Sequence, residues 1–258
     1  MAFHIHVPKP LHGWKAFTNE IAVIVLGVLI ALALEAGVEA LHWRHKVEGG
    51  QERLKDELLL NGAYMAEQVV IAPCVAAQLD KLQSRLTASE GQNNPAPIIR
   101  SGPFVTTLRM PTRYWPSQTW EALQQDGTSN HFPGDVQAQL GQIYQKVILL
   151  REMNVKSEDR QGSLQLLGYP MELSSDLKAG LLRDIFGQSQ RTQSSALNSA
   201  QALAQFRNIE FAPSNDEIEE RRASLTPGKA NGVTTFQYCK QNNLPLADWR
   251  AEVAKVKI

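Results

Sequence analysis

The sequence has no excess of charge of either sign. Lysine plus arginine and aspartate plus glutamate both number 26 in 258 residues, so the chain is formally neutral at pH 7. Proteins that bind nucleic acid normally carry a basic face that neutralises phosphates. The composition therefore argues against a nucleic acid as the partner of this protein.

Cysteine is also scarce, because the chain has only Cys74 and Cys239, and neither belongs to a Cys-x-x-Cys pair. This excludes a disulfide-dense scaffold and a cysteine-based zinc ribbon. A long-range disulfide is the simplest use of both residues, and two unrelated buried thiols are the alternative interpretation. Such a disulfide would indicate an oxidising compartment and would stabilise the fold by about 4–5 kcal/mol.

Complete catalytic and cofactor motifs are missing as well. The sequence contains no Gly-x-Ser-x-Gly elbow, Walker loop or dinucleotide fingerprint. Ser175 and Lys178 match the Ser-x-x-Lys pair of penicillin-binding enzymes, but the Lys-Thr-Gly partner motif is absent. Glu39, His42 and His45 share one helix face, yet no second Glu-x-x-His completes a di-iron site. We therefore predict no catalytic, cofactor-binding or metal-binding residues.

One long hydrophobic run does occur near the start of the chain, where fourteen apolar residues extend from Ile21 to Leu34. As a helix this run rises about 21 Å, which is short of the roughly 30 Å hydrocarbon layer of a bilayer. Extending the helix on both sides reaches the required length and places Trp14 and Trp43 where interfacial aromatic anchors are expected. We predict a transmembrane helix over 17–41, preceded by a short tail over 1–16.

Two other interpretations of the run stay open. Lys9 and Lys15 precede it, and the triplet from Ala31 to Ala33 resembles a signal-peptide cleavage site. A helix in the core of a water-soluble protein is the second alternative. The helical pattern continues past the candidate cleavage site, which favours a retained anchor.

One face of the predicted span combines small and acidic residues. Glu20, Ile24, Gly27, Ala31 and Glu35 follow one another at intervals of three and four, so they share one side of a helix. Gly27 and Ala31 form a small-x-x-x-small pair, which lets two membrane helices approach closely. We predict a helix-pairing face made of Glu20, Gly27, Ala31 and Glu35, whose partner is a second copy or another membrane protein. The alternative is that small residues are simply common in membrane helices.

The sequence after the predicted span indicates a mainly α fold, with a stalk helix over 42–72 and a helical-bundle domain over 73–258. Pro73 is expected to break or kink the helix that reaches it. Apolar intervals of three and four predict a long helix from Pro133 to Met153 and another between Pro170 and Phe206, interrupted around Gly187. Ser214 and Glu217 match a capping box at the start of a shorter helix, and a turn is predicted over 227–232.

Residues 98–120 form an irregular insertion rich in proline and tryptophan, in which a short strand or a pair of strands can form. Ser117 is expected to cap a short helix that ends before Gly127. Flat rings and guanidinium groups suit the binding of a sugar or peptide. The predicted ligand groove consists of Arg109, Arg113, Tyr114, Trp115 and Trp120. The alternative is that the aromatic residues belong to the core.

Several short sequences carry a resemblance to known proteins. They are His12-Gly13-Trp14, Glu20 with the run from Val23 to Glu35, and His42-Trp43-Arg44. This stretch resembles the start of a family of uncharacterised proteobacterial single-span membrane proteins. It is also similar to a wider bacterial pattern, Glu-x-x-x-Ile-x-x-Gly-x-Leu-Ile-Ala-Leu, matched from Glu20 to Leu32. Weaker similarity continues around Pro73-Cys74, over 119–127 and at Cys239. The sequence departs from the family at Gly49-Gly50, which puts a rigid stalk in doubt.

The resemblance implies a cytoplasmic N-terminus, one span in the inner membrane and a helical domain in the periplasm. It implies no activity. The basic residues give the opposite orientation, because Arg44, Lys46, Arg53 and Lys55 outnumber Lys9 and Lys15. We expect an interaction or structural module of the cell envelope, with the lipid bilayer as a partner and no cofactor. A ligand-binding sensor and an envelope-directed enzyme are the alternatives.

Overall fold

The computed structural model describes residues 13–101, 104–226 and 233–256. The predicted tail up to residue 12 and the predicted turn at 227–232 lie outside these residues. The chain divides into two compact units, Met1–Gly49 and Gly50–Ile258. The fold is mainly α, as the sequence predicts.

The first helix, α1, extends over Trp14–Ala88 and contributes residues to both units. In the first unit its apolar side chains are exposed from Trp14 to Leu41. Its most apolar window of 18 residues has a mean hydropathy of 2.7, and none of that window is buried. By length and composition, this helix is able to cross a membrane.

In the second unit, α1 is a core helix, which corrects the predicted stalk over 42–72. Leu54, Leu58 and Met65 belong to this unit and are fully buried. The helix continues through Gly49-Gly50, and it also continues through Pro73, where the sequence predicts a break or kink. Proline lacks the N–H donor of a helical hydrogen bond, yet α1 remains helical on both sides of Pro73. Close to the proline, the Val70 carbonyl accepts the backbone N–H of Ala247 at 2.9 Å.

The irregular insertion contains a pair of strands, which is one of the two possibilities that the sequence left open. Strand β1 (Ile99–Ser101) pairs antiparallel with β2 (Phe104–Thr106), with Arg100 opposite Val105. The chain after β2 stays irregular as far as Ser117. It then enters α2 (Gln118–Gln125), and Gly127 follows with a φ of 79°, a left-handed conformation that suits glycine at a helix end.

The two longest remaining helices are α3 (Gly134–Gln165) and α4 (Ser175–Gln205), which pack against each other. The expected interruption at Gly187 is absent, since α4 is continuous there. The predicted capping box of Ser214 and Glu217 is confirmed at the start of α5 (Asn215–Ala223). Two short helices, α6 (Thr235–Gln241) and α7 (Trp249–Ala254), complete the described chain.

Gly62 marks a close approach between α1 and the residues that follow α4. A Cβ atom at Gly62 would lie 3.1 Å from Phe206 Cε2 and 3.3 Å from Ile218 Cδ1. We expect Gly62→Leu to lower the free energy of unfolding by about 1–3 kcal/mol, because the side chain overpacks this contact. Urea unfolding of the detergent-solubilised chain measures the effect.

Gly141 in α3 is the matched control, since a Cβ atom there would meet nothing within 4 Å. Gly141→Leu is expected to leave stability unchanged or raise it by up to about 1 kcal/mol, because leucine is the better helix former. Equal losses for the two variants would contradict the close approach at Gly62.

Candidate functional site

The predicted helix-pairing face lies on the exposed part of α1. Glu20, Gly27, Ala31 and Glu35 are all exposed, and a Cβ atom at Gly27 would meet nothing within 4 Å. The intervals of three and four place these residues on one side of the helix. The face is open to a partner, and its use for helix pairing stays a prediction.

Cys74 on α1 and Cys239 on α6 form a disulfide, with their sulfur atoms 2.01 Å apart. Both residues are fully buried. The bond joins residues 165 positions apart and fastens the C-terminal part of the chain to the core helix. This is the pairing that the sequence offered as the simplest use of both cysteines.

A row of buried polar side chains on α1 holds the irregular chain that follows β2. We name this row, Glu57, Asn61, Glu67 and Gln78, the polar seam, and the chain over 109–120 the proline segment. At one end of the seam, the Gln78 amide accepts the backbone N–H of Arg109 at 2.8 Å and donates to the Arg109 carbonyl at 3.1 Å. An extended segment lacks internal backbone hydrogen bonds, and this side chain supplies a pair of them.

The next contact along the seam is a buried ion pair. Arg113 donates from Nε to Glu67 Oε2 at 2.7 Å and from Nη2 to Glu67 Oε1 at 2.8 Å. The two side chains are 12% and 3% exposed. Burial opposes the positive charge, but the hydrogen bonds and attraction of Glu67 outweigh it and raise the pKa of Arg113. This bidentate pair fixes the middle of the proline segment.

The seam ends at the start of α2. Asn61 Nδ2 donates to the Pro116 carbonyl at 2.7 Å. The Glu57 carboxylate accepts the backbone N–H groups of Thr119 at 2.8 Å and Trp120 at 3.3 Å, and the Tyr144 hydroxyl at 2.6 Å. Burial and the Glu57 charge raise the pKa of Tyr144, so the phenol stays protonated and donates. The proline segment therefore lies antiparallel to α1, from Gln78 back to Glu57.

The start of α2 is capped differently from the prediction. Ser117 occupies the cap position without a capping hydrogen bond of its own side chain. Its hydroxyl instead donates to Glu121 at 2.5 Å and accepts from Arg151 Nη2 at 2.6 Å. Glu57 satisfies the N–H groups of the second and third residues of the helix, and a carboxylate is favoured at that end by the helix dipole.

The predicted ligand groove is not a single site, which is a correction. Trp115 is 1% exposed and meets Tyr64 edge-on with ring centroids 5.6 Å apart. Trp120 is 5% exposed and stacks on Tyr144 at 5.5 Å. Tyr114, by contrast, is 65% exposed. The tryptophans fill space between the helices, so their faces are not available to a ligand.

Arg109 and Arg113, the other two residues of the predicted groove, do line a common pocket. Its volume is about 500 Å³, and its walls include Thr112, Gln161 and Thr235. Burial lowers the pKa of Arg109, and the positive charge of Arg113 contributes in the same direction. We name this cavity the arginine pocket.

The candidate catalytic pair has a structural role. The Lys178 ammonium donates to the carbonyls of Thr87 at 3.0 Å and Ser89 at 2.8 Å, at the end of α1. A cation at this position satisfies carbonyls that lack helical partners. Ser175 is the first residue of α4. Lys178 is thus engaged as a helix cap, and the geometry gives no indication that it activates Ser175.

The candidate metal-binding face on α1 makes local contacts. Glu39 Oε1 accepts Trp43 Nε1 at 3.4 Å, and His45 Nδ1 lies 3.7 Å from Glu48 Oε2. Within the described ranges, no group of three or more histidine, cysteine, aspartate or glutamate residues is placed to hold a metal ion.

Comparison of the chain with protein-family models, curated proteins and solved structures finds no match. The resemblance to the single-span proteobacterial family therefore stays a prediction. Function has to be inferred from the apolar helix, the disulfide and the arginine pocket.

Proposed function

We propose that the protein is a membrane-anchored helical module of the bacterial cell envelope, which acts through interaction rather than catalysis. The observation that carries this proposal is the exposed apolar part of α1, with a mean hydropathy of 2.7 over 18 residues. Water-soluble monomers rarely expose a continuous apolar surface of this size. Insertion in a bilayer removes that surface from water.

The disulfide supports a domain on the outer side of the inner membrane. Structural disulfides persist in the periplasm and are rare in the cytosol. The bond between Cys74 and Cys239 is buried in the domain core. We therefore favour the orientation with the N-terminus in the cytoplasm, although the lysine and arginine distribution gives the opposite one.

The partner that we propose for the span is a second copy of this chain. Gly27 and Ala31 let the backbones of two membrane helices approach closely. Their face is exposed on α1. The two carboxylates on this face, Glu20 and Glu35, flank the apolar run from Ile21 to Leu34 rather than interrupting it, so they lie towards the headgroup layers.

A photo-crosslinking residue placed in the span of the full chain in cell membranes tests this pairing. At position 31 we expect a crosslinked dimer of the protein. At position 29, on the opposite side of the helix because successive residues turn by about 100°, we expect little or none. Equal crosslinking at the two positions, or no dimer at either, would exclude the pairing face.

A second candidate function is ligand binding by the domain. The arginine pocket favours it, because its volume of about 500 Å³ lies within the range of small-molecule sites. A sensor of this kind needs a membrane partner to transmit the signal across the bilayer.

A further inference from the structure

Arg109 is a half-buried cation that forms no ion pair with the residues that the structure describes. The neighbouring carboxylate, Glu67, is engaged in the bidentate pair with Arg113. No other carboxylate of the described residues lies within 4.0 Å of Arg109. The sequence of the remaining segments, 1–12, 102–103, 227–232 and 257–258, contains no aspartate or glutamate. The side chains of this chain therefore supply no counter-ion at this position, whereas buried cations are normally paired.

The hydrogen bonds of Arg109 are also incomplete. Its Nη2 donates to the Val233 carbonyl, whereas its Nε atom is buried and has no partner in the described part of the chain. An unpaired buried donor costs about 1–3 kcal/mol, more when it is charged. The planar guanidinium matches the geometry of a carboxylate better than that of any neutral group.

The arginine pocket brings this cation together with complementary groups. Thr112 and Gln161 contribute polar groups to the walls, while Met110 and Pro111 contribute apolar surface. The Gln161 amide nitrogen already donates to the Leu108 carbonyl at 2.9 Å, so its oxygen is the atom left for a ligand.

Glu158 lines the same pocket and is exposed. Arg113 also lines the pocket, but Glu67 neutralises its charge. A ligand in this cavity therefore meets the positive charge of Arg109 and the negative charge of Glu158, which also accepts a hydrogen bond from Asn154 Nδ2 at 2.8 Å.

We propose that the arginine pocket binds a zwitterionic small molecule of the amino acid or dipeptide class. The ligand carboxylate pairs with Arg109, and the ligand ammonium faces Glu158. A phosphate dianion fits less well, because Glu158 repels it. This inference rests on the second candidate function, ligand binding by the domain, for which it names the class of ligand; it does not depend on the membrane anchor or on helix pairing.

Ligand-induced thermal stabilisation of the full-length protein in detergent tests the proposal. The probes are the twenty standard amino acids and a set of dipeptides, with acetate and butyrate as carboxylates that lack an ammonium. We expect at least one zwitterion to raise the melting temperature, and calorimetry then gives its dissociation constant. We expect acetate and butyrate to have no effect at the same concentration.

Three variants separate binding from folding. Arg109→Gln is expected to weaken binding about tenfold or more, because a charge-assisted contact is lost. Arg109→Lys keeps the charge without the guanidinium and is expected to weaken binding while the protein stays folded. Arg207→Gln is the matched control. Arg207 also donates from Nη2 to a carbonyl of the C-terminal segment, that of Val253 at 3.0 Å, but it does not line the pocket.

Four results would overturn the proposal. They are the absence of a shift with every zwitterion, equal shifts with acetate or butyrate, unchanged binding in both Arg109 variants, and an equal loss of binding in Arg207→Gln. Glu158→Gln gives a further check, since it is expected to reduce the preference for zwitterions over plain carboxylates. If Arg109→Gln fails to fold, Arg109→Lys and Glu158→Gln carry the test.

Discussion

Replacing Glu57 with alanine is expected to lower the free energy of unfolding by about 3–5 kcal/mol. The carboxylate accepts two backbone N–H groups at the start of α2 and the hydroxyl of Tyr144. All three donors lose their acceptor in the variant, and an unsatisfied buried polar group costs about 1–3 kcal/mol. Part of this cost is recovered where water enters the space left by the side chain. Urea unfolding of the detergent-solubilised chain, followed by circular dichroism, measures the loss.

Two further variants make the Glu57 result specific. Glu57→Gln keeps an acceptor oxygen at nearly the same volume. We therefore expect it to lower the free energy of unfolding by less than half as much as Glu57→Ala does. Glu52, on the exposed side of the same helix, is the control, and Glu52→Ala is expected to change stability by no more than about 0.5 kcal/mol. A loss for Glu57→Ala within about 1 kcal/mol of the Glu52→Ala value would contradict the polar seam, since seam contacts are expected to cost more than that.

Removing the disulfide is expected to lower the free energy of unfolding by a similar amount, about 4–5 kcal/mol. The bond closes a loop between residues 165 positions apart, so it restricts the unfolded chain strongly. For a domain of this size the loss corresponds to a fall in melting temperature of about 10–20 °C. Thermal unfolding with and without dithiothreitol measures it. Other contacts, such as that between Ala247 and Val70, remain and limit the loss.

The Cys74→Ala, Cys239→Ala double variant is the control for the reductant. Its melting temperature is expected to equal that of the reduced wild-type protein, apart from a small difference because the sulfur atoms no longer pack in the core. Dithiothreitol is expected to cause no further change. If two thiols of the unreduced wild-type protein react with an alkylating reagent after denaturation, the protein does not contain the bond.

The long helices could be predicted because their signals are local. Leu140, Ile143, Tyr144 and Val147 recur at the helical interval, and all four are buried on α3. The capping box before α5 involves two residues three positions apart, so a short stretch of sequence contains the whole motif. The apolar run of α1 is likewise continuous in sequence.

The role of α1 in the domain core could not be predicted in the same way. Residues after Gly50 carry an ordinary amphipathic pattern, and their burial depends on helices that come much later in the chain. Pro73 has a strong local preference against a helix interior, which tertiary packing overrides here. A stalk and a core helix have the same local signal until the packing partners are known.

The polar seam was missed because charged residues on a helix are usually exposed. A signal was nevertheless present, since Glu67 and Gln78 lie seven and four positions from Cys74 and therefore share its helix face. A cysteine on that face suggests burial, and three residues of the polar seam hold backbone groups. The proline segment, which has few internal hydrogen bonds, required such partners.

The candidate site was predicted only in part. Aromatic residues together with two arginines predicted a ligand groove, and of these residues Arg109 and Arg113 do line a pocket. The sequence does not specify side-chain direction in an extended segment, so it did not separate the exposed Tyr114 from the buried Trp115 beside it. Glu158, which lines the same pocket, comes from α3 and has no local signal that associates it with Arg109.

Membrane anchoring with an external domain is tested most directly by fusing two reporters to the C-terminus, one active only in the periplasm and the other only in the cytoplasm. We expect activity of the periplasmic reporter, with an immunoblot that shows the full-length fusion in the membrane fraction. Activity of the cytoplasmic reporter would reverse the orientation and remove the compartment that the disulfide requires. A shortened, soluble periplasmic product would show that the apolar helix is a cleaved signal rather than an anchor.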